Sequence, residues 1–234
     1  MIQGLPVYVT AIFVLTTITT IGFLFSAARS TRREKPAQKF LIFLTPFWLL
    51  LTGFLALSGF YKDTTSLPPR VFAAGAGPAI LIALVYLVFF REGFIDRISL
   101  KILTILHIVR IPVELVLMWL FQAGLVPRQM TFEGFNFDIL SGITAPIVYW
   151  IAFRGRNVNR SLLLGWNIFA LILLVNIVTI AFLSFSSPLQ QMAFEQPNVA
   201  VTYFPFIWLP AIIVPIVFFA HWASIWKLAT NRIN

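Results

Sequence analysis

Seven long apolar segments follow one another along the chain, with short polar segments between them. A helix needs about 20 apolar residues to cross the hydrocarbon core of a bilayer. Six of the segments are that long, and the fifth reaches across only if its helix begins at Asp138 or tilts. The pattern therefore predicts an all-α protein, a single domain of seven transmembrane helices at about 6–28, 40–60, 71–90, 100–125, 138–153, 161–185 and 205–226.

The composition supports the membrane interpretation. Of the 234 residues, 59% are hydrophobic and 11% are charged, whereas a soluble domain carries about 25% charged residues. The formal net charge of +9 resides in short loops, which is typical of membrane topology rather than of a nucleic-acid interface. The sequence contains no cysteine, which excludes disulfides and thiolate metal sites. The first ten residues contain no Lys or Arg, so we expect a retained helix rather than a cleaved signal peptide.

The lysines and arginines predict the orientation of the helices. Lys62, Arg70 and Arg128 lie in the connections on one side, and Arg110 lies within a span. Cytoplasmic loops of membrane proteins carry an excess of cations. We therefore expect the N-terminus outside and the C-terminus in the cytoplasm, because the other side carries thirteen cations: Arg29, Arg32, Arg33, Lys35, Lys39, Arg91, Arg97, Lys101, Arg154, Arg156, Arg160, Lys227 and Arg232.

Three ionisable residues lie within the fourth span. At about 100° per residue, His107, Arg110 and Glu114 fall within roughly 60° of one another around the helix. Arg110 and Glu114 are four residues apart, so each is expected to neutralise the other. An ionisable group at membrane depth is costly unless it is paired or hydrated. This face of helix 4 is therefore expected to point into the bundle, either as an ion pair that fixes helix packing or as a ligand or proton site.

The two histidines of the chain are placed at similar depths. His107 lies six residues after Lys101, and His221 lies six residues before Lys227, which puts both about 9 Å from a cation of the cytoplasmic side. They are candidate axial ligands of haem b, or ligands of a metal ion, if helices 4 and 7 are neighbours. The alternative is a pair of hydrogen-bonded interior histidines. Asn176 in helix 6 lies at about the depth of the helix 4 carboxylate and is a further polar candidate.

A second polar group is expected at the outer mouth of helix 5. The segment MTFEGFNFD contains Glu133, Asn136 and Asp138. Asp138 directly precedes the helix, where a carboxylate accepts hydrogen bonds from free backbone N–H groups. We therefore expect Asp138 to cap helix 5. The connection between helices 6 and 7 contains several apolar residues and is expected to fold back over the same mouth.

Three functions are consistent with these residues. The first hypothesis is a protein that holds a small molecule, a lipid or a proton-linked solute in a cavity between helices 4, 5, 6 and 7, with Arg110, Glu114, His107 and Asn176 as ligand-binding residues. The second is a haem b electron carrier that uses His107 and His221. The third is an accessory subunit of a membrane complex, or a homo-oligomer, in which the polar residues only fix packing. No catalytic residues are predicted, because too few acid–base groups converge, and no nucleic-acid partner is expected.

Three segments resemble the signature stretches of an uncharacterised seven-helix membrane protein family of the Bacteroidota: LHIVRIPVELVL, MTFEGFNFDILSGITAP and FEQPNVAVTYFPFIWLP. The resemblance extends from about Leu50 to near the C-terminus. It implies location in the inner membrane of a bacterium with two membranes, and it implies no activity. Phe135 occupies the position of an arginine in the family's outer motif, so no anion-binding role is carried over to this loop.

Overall fold

The computed structural model describes residue 2 and residues 4–30 and 36–232, and within these residues it contains seven helices and no β-strand. Six of the helices are long and apolar enough to cross a membrane, and the fifth is an apolar helix of 15 residues. The predicted all-helical fold is confirmed, and it is compatible with a multi-pass membrane protein. Arg32, Arg33 and Lys35 lie outside the described residues. The helices are α1 (Val7–Arg29), α2 (Pro36–Leu57), α3 (Phe72–Phe89), α4 (Leu100–Gln122), α5 (Ile139–Phe153), α6 (Arg160–Leu183) and α7 (Leu209–Ala229).

The helix ends agree with the predicted spans to within a few residues. The largest offsets occur at α2, which begins at Pro36, and at α7, which begins at Leu209. Proline is favoured in the first turn of a helix, because its missing N–H would have no partner there. In α2 and α7 the apolar segment and the hydrogen-bonded helix therefore begin at different residues. This difference accounts for the two offsets.

Irregular turns open two of the helices. α3 begins with a π-helical turn, Phe72–Ala76, and α7 begins with another, Leu209–Ile213. In α3, Pro78 has no N–H for the carbonyl group four residues earlier, which belongs to Ala74. The hydroxyl group of Tyr61 donates to this carbonyl oxygen at 3.0 Å. Tyr61, in the connection before α3, thus supplies the hydrogen bond that Pro78 cannot donate.

Successive helices run in opposite directions, so the bundle has two ends. The helix α7 ends at one of them, which we call the Lys227 end. There the ammonium group of Lys227 donates to the carbonyl oxygens of Asp96 and Ile98, in the α3–α4 connection, at 2.9 and 2.6 Å. The ten described members of the thirteen-cation set lie at this end. We call the opposite end, at which α5 begins, the Asp138 end.

The α6–α7 connection folds back over the Asp138 end, as the sequence predicts. The side-chain amide of Gln196 donates to the carbonyl oxygens of Phe121 and Val126, at 2.9 and 2.6 Å. The backbone N–H of Ala200 donates to the carbonyl oxygen of Leu125 at 3.0 Å. These bonds attach the α6–α7 connection to the last turn of α4 and to the residues that directly follow it.

Two helices occupy the centre of the bundle. α4 packs against α1, α5 and α7, and α7 packs against α3, α4 and α6. In the most apolar stretch of α4 and α7, 56% and 61% of the residues are buried, against 17–39% for the other four long helices. The neighbours of each helix could not be deduced from its own sequence. The central position of α4 and α7 brings the two histidines and the α4 ionisable residues into the interior.

Candidate functional site

All three ionisable residues of α4 are buried. His107 is 0% exposed, Glu114 1% and Arg110 2%. The face of α4 that carries them points into the bundle, as the helical spacing predicts. A 3₁₀ turn, His107–Val109, interrupts α4 shortly before Pro112. The three residues share a face but not a depth, since His107 lies one turn nearer to the Lys227 end.

Arg110 contacts two other segments of the bundle. Its Nε atom lies 3.0 Å from Oδ2 of Asp138, at the start of α5. This contact is an ion pair by charge and distance, although the N–H direction does not meet hydrogen-bond geometry. The Nη1 atom donates to the carbonyl oxygen of Ala170, in α6, at 3.3 Å. The four-residue spacing predicts Glu114 as the partner of Arg110, but the structure instead pairs Arg110 with Asp138, because the long guanidinium side chain reaches the next helix.

Asp138 does not cap α5, contrary to the expectation from its position. The residue stands directly before the helix, but its side chain makes no hydrogen bond to a backbone N–H of the first turn. A helix cap is worth about 1 kcal/mol, whereas leaving a buried charge without its partner costs about 3–5 kcal/mol. The carboxylate therefore faces Arg110 rather than the end of its own helix.

Asn136 connects the polar residues of the site. Its amide nitrogen lies 2.8 and 2.6 Å from the two carboxyl oxygens of Glu114, and 2.9 Å from the carbonyl oxygen of Met130. Its side-chain oxygen accepts a hydrogen bond from the backbone N–H of Asp138 at 3.0 Å. Asn136 and Asp138 are buried, so of the three residues predicted at the outer mouth only Glu133 is exposed.

Gly142 allows α5 to approach α4 closely at this site. A Cβ atom at this position would lie 2.8 Å from Cγ1 of Ile111 and 3.3 Å from Cβ of Arg110. Both distances are shorter than ordinary van der Waals contact. The small residue therefore sets the separation at which Asp138, four residues earlier, meets Arg110.

A cavity of about 330 Å³ lies beside the polar residues. Arg110, Glu114 and Asp138 line one side of it, and Thr179 is its other polar residue. The rest of the lining is apolar and comes mainly from α3, α4, α6 and α7. The sequence predicts a cavity between helices 4, 5, 6 and 7, but α3 takes the place of α5, which contributes only the residue before its first turn.

Asn176 does not line this cavity. Its amide nitrogen donates to the carbonyl oxygen of Phe135 at 2.8 Å, in the connection between α4 and α5. The residue therefore supports the loop that carries Asn136 and Asp138. Apolar lining residues such as Leu174 and Val217 went unrecognised as site residues, because an apolar residue in an apolar helix carries no sequence signal of its own.

A comparison with protein families matches residues 67–229 to a domain of unknown function (DUF8737). The chain belongs to this family. The DUF8737 match covers α3 to α7 and therefore every residue of the site described above, and it agrees with the expected membership of an uncharacterised family. Comparisons with curated proteins and with solved structures found no match.

The two histidines of this DUF8737 chain are in direct contact. The imidazole rings of His107 and His221 are stacked, with centroids 3.8 Å apart and planes inclined by 16°. Nδ1 of His221 lies 2.9 Å from the side-chain oxygen of Asn167. The ring of Trp166 packs edge-on against His107. Neither ring nitrogen of His107 has a hydrogen-bond partner among the described residues.

The stacked rings do not fit haem b. Two axial histidines hold one iron from opposite faces of a porphyrin, whereas these rings lie face to face with no room for a macrocycle between them. A metal ion also lacks ligands here, since no group of three or more His, Asp or Glu in the described part of the chain is placed to hold one. The equal depth of His107 and His221 therefore corresponds to a packed pair of imidazoles.

Proposed function

We propose that this protein binds a small lipid-soluble molecule inside the bundle, with the polar group of the molecule at Arg110 and Asp138. The cavity supports this proposal, because it combines an apolar lining with buried charged residues on one side only. Ligand pockets of proteins are typically of about 300–1,000 Å³ and mostly apolar, with a few polar groups that orient the ligand. A charged residue at membrane depth is costly, and such residues often serve a function.

Each polar residue has a separate role in this proposal. Arg110 and Asp138 contact the ligand, because both line the cavity and each has a buried polar atom without a hydrogen-bond partner among the described residues. Glu114 and Asn136 hold the α4–α5 connection against α4, so that Asp138 stays opposite Arg110. Asn176 supports the same connection from α6.

The cellular setting is part of the proposal. All seven helices cross the inner membrane of a bacterium, with the N-terminus outside and the C-terminus in the cytoplasm. The thirteen cations on one side, against three on the other, support this orientation by the positive-inside rule. The Lys227 end is then cytoplasmic, and the Asp138 end faces outward.

Mass spectrometry of the gently purified protein tests the binding proposal. We expect the native protein to carry a bound lipid-soluble molecule, and the double variant Arg110→Leu, Asp138→Leu to lose it. The matched control is Arg70→Leu, Asp63→Leu, which removes an ion pair from the partly exposed α2–α3 connection. The control should retain the molecule. A native protein without any bound molecule, or equal retention in both double variants, contradicts the proposal and favours an accessory subunit with an empty bundle.

A further inference from the structure

We infer that the ligand is an uncharged long-chain lipid with a hydroxyl group, and that it reaches the cavity sideways from the bilayer, between α3 and α6. This inference rests on the proposed binding function and specifies its substrate class. Two independent observations support it: the accessibility of the cavity along the side of the bundle, and the hydrogen-bonding groups that its polar side leaves without partners.

The cavity is accessible between α3 and α6. Both helices pack against α7, which forms the back wall with residues such as Val214. Val178 and Thr179 of α6 line the cavity and are also exposed on the surface of the bundle. Ile80 of α3 lines it from the opposite edge and is partly exposed. In a bundle that crosses a bilayer, such exposure along a membrane-spanning helix is exposure to acyl chains.

The cavity is covered toward the Asp138 end. The ring of Phe72, in α3, packs against Phe182 and Phe185 with centroid distances of 4.9 and 5.3 Å. These contacts bridge the outer parts of α3 and α6. Val201, in the α6–α7 connection, lines the same part of the cavity and is buried. A ligand from the aqueous phase would have to displace this aromatic cluster.

The cavity is also covered toward the Lys227 end. The stacked pair of His107 and His221 is fully buried on the two central helices. His107 precedes Arg110 by three residues in α4, and His221 follows Val217 by four residues in α7. The pair therefore lies one turn below the lining residues of both helices. With both ends covered, the side between α3 and α6 is the remaining path.

Outside the Arg110–Asp138 ion pair itself, the polar side of the cavity has a donor and an acceptor that make no hydrogen bond. Nη2 of Arg110 and Oδ1 of Asp138 are buried and have no hydrogen-bond partner within the described residues. Buried polar atoms without partners are costly, and a ligand that pairs with them recovers that cost. A hydroxyl group can accept from the guanidinium and donate to the carboxylate at the same time.

Charged head groups fit this pair of atoms less well. A carboxylate has no proton to donate, so it leaves Oδ1 of Asp138 without a partner and adds a negative charge beside Asp138 and Glu114. An ammonium group cannot accept a hydrogen bond, so it leaves Nη2 of Arg110 without a partner and faces a like charge. A specific site rejects analogues that leave its buried polar groups unpaired.

Three probes with the same C18 chain test the head group: oleyl alcohol, oleate and oleylamine. Native mass spectrometry of the delipidated protein in detergent measures the dissociation constant of each. We expect oleyl alcohol to bind at least about tenfold more tightly than either charged probe, since each leaves a buried group unpaired. Tighter binding of oleate or oleylamine overturns the inference and leaves the proposed binding function intact. Failure of all three probes, with no molecule bound to the protein as purified, overturns both.

The lateral path is tested by narrowing it at one residue. Val178→Trp places a large side chain at the opening, whereas Val175→Trp places the same side chain on α6 at an exposed position that does not line the cavity. We expect bound oleyl alcohol to exchange several-fold more slowly in Val178→Trp and at the native rate in Val175→Trp. Equal exchange rates in the two variants rule out this path. If Val178→Trp does not fold, Val178→Phe is the second variant, judged by the same rates.

Discussion

At the residue scale, three pairs of buried polar side chains join segments that are distant in sequence. Arg110 meets Asp138, Glu114 meets Asn136, and His221 meets Asn167, as described above. In an apolar bundle a buried charge or amide without a partner is costly. Each of these three residues of a central helix therefore depends on a polar residue of another segment, which constrains both segments together.

The Glu114–Asn136 pair predicts a specific pattern of stabilities. Asn136→Leu leaves the buried carboxyl group of Glu114 without its amide partner, so we expect the free energy of unfolding to fall by at least about 2 kcal/mol. The double variant Glu114→Leu, Asn136→Leu removes both groups and is expected to recover most of that loss. The measurement is unfolding in detergent, with Asn157→Leu as the control at an exposed position. A double variant that is less stable than Asn136→Leu alone would contradict this account.

At the element scale, the distance between neighbouring helices decides which side chains meet. α5 lies close to α4 because Gly142 has no side chain, and this approach places Asp138 beside Arg110. Small residues permit such close contacts between membrane helices. The position of a loop residue in the site therefore depends on a glycine one helical turn away.

Two glycine substitutions distinguish the effect of helix packing on stability from the effect of helix propensity. In Gly142→Ala the added methyl group meets Ile111 at 2.8 Å, so we expect a loss of about 1–3 kcal/mol from overpacking. Gly165→Ala, within α6, meets no atom within 4 Å, and alanine is the better helix former by about 1 kcal/mol. We therefore expect this second variant to be as stable as the native protein or more so. Thermal unfolding of both variants in the same detergent measures the difference in their stability. Equal destabilisation of the two variants would mean that the close approach of α5 to α4 does not contribute to stability.

At the scale of the whole molecule, the alternation of helix directions separates the charges. The connections that meet at the Lys227 end carry most of the cations, and those at the Asp138 end carry Lys62, Arg70 and Arg128. The buried polar site lies nearer to the second end. In the proposed orientation, the ligand is therefore held in the outer half of the membrane.

Single cysteines report the orientation directly, since the native sequence has none. Glu133→Cys lies in the exposed α4–α5 connection, and Arg156→Cys lies in the exposed α5–α6 connection. In cells with a permeabilised outer membrane, we expect a membrane-impermeant maleimide to label Glu133→Cys and to label Arg156→Cys only after lysis. The reverse pattern would invert the proposed orientation. Labelling of both residues before lysis would mean that α5 does not cross the membrane.

Much of the fold could be predicted because helix formation in lipid is a local property. Each spanning segment must satisfy its own backbone hydrogen bonds, so apolar length alone locates a helix. The segment Ile139–Phe153 is an example, since its predicted and observed helices agree at both ends to within one residue. The burial of His107, Arg110 and Glu114 followed from the same periodicity. The partners of Arg110 and Glu114 could not be predicted from this periodicity, because Asp138 and Asn136 also had plausible roles near the start of their own helix.

The sequence by itself determined seven helical segments, the asymmetry of charge between the two sides, and the face of α4 that is buried. Only the tertiary structure decided that α4 and α7 are central, that Arg110 pairs with Asp138, that the histidines stack, and that α3 completes the cavity. The physical reason is that apolar helices contact lipid and one another with similar free energies. Their arrangement therefore depends on shape and on a few polar pairs, which become apparent only when distant segments are brought together.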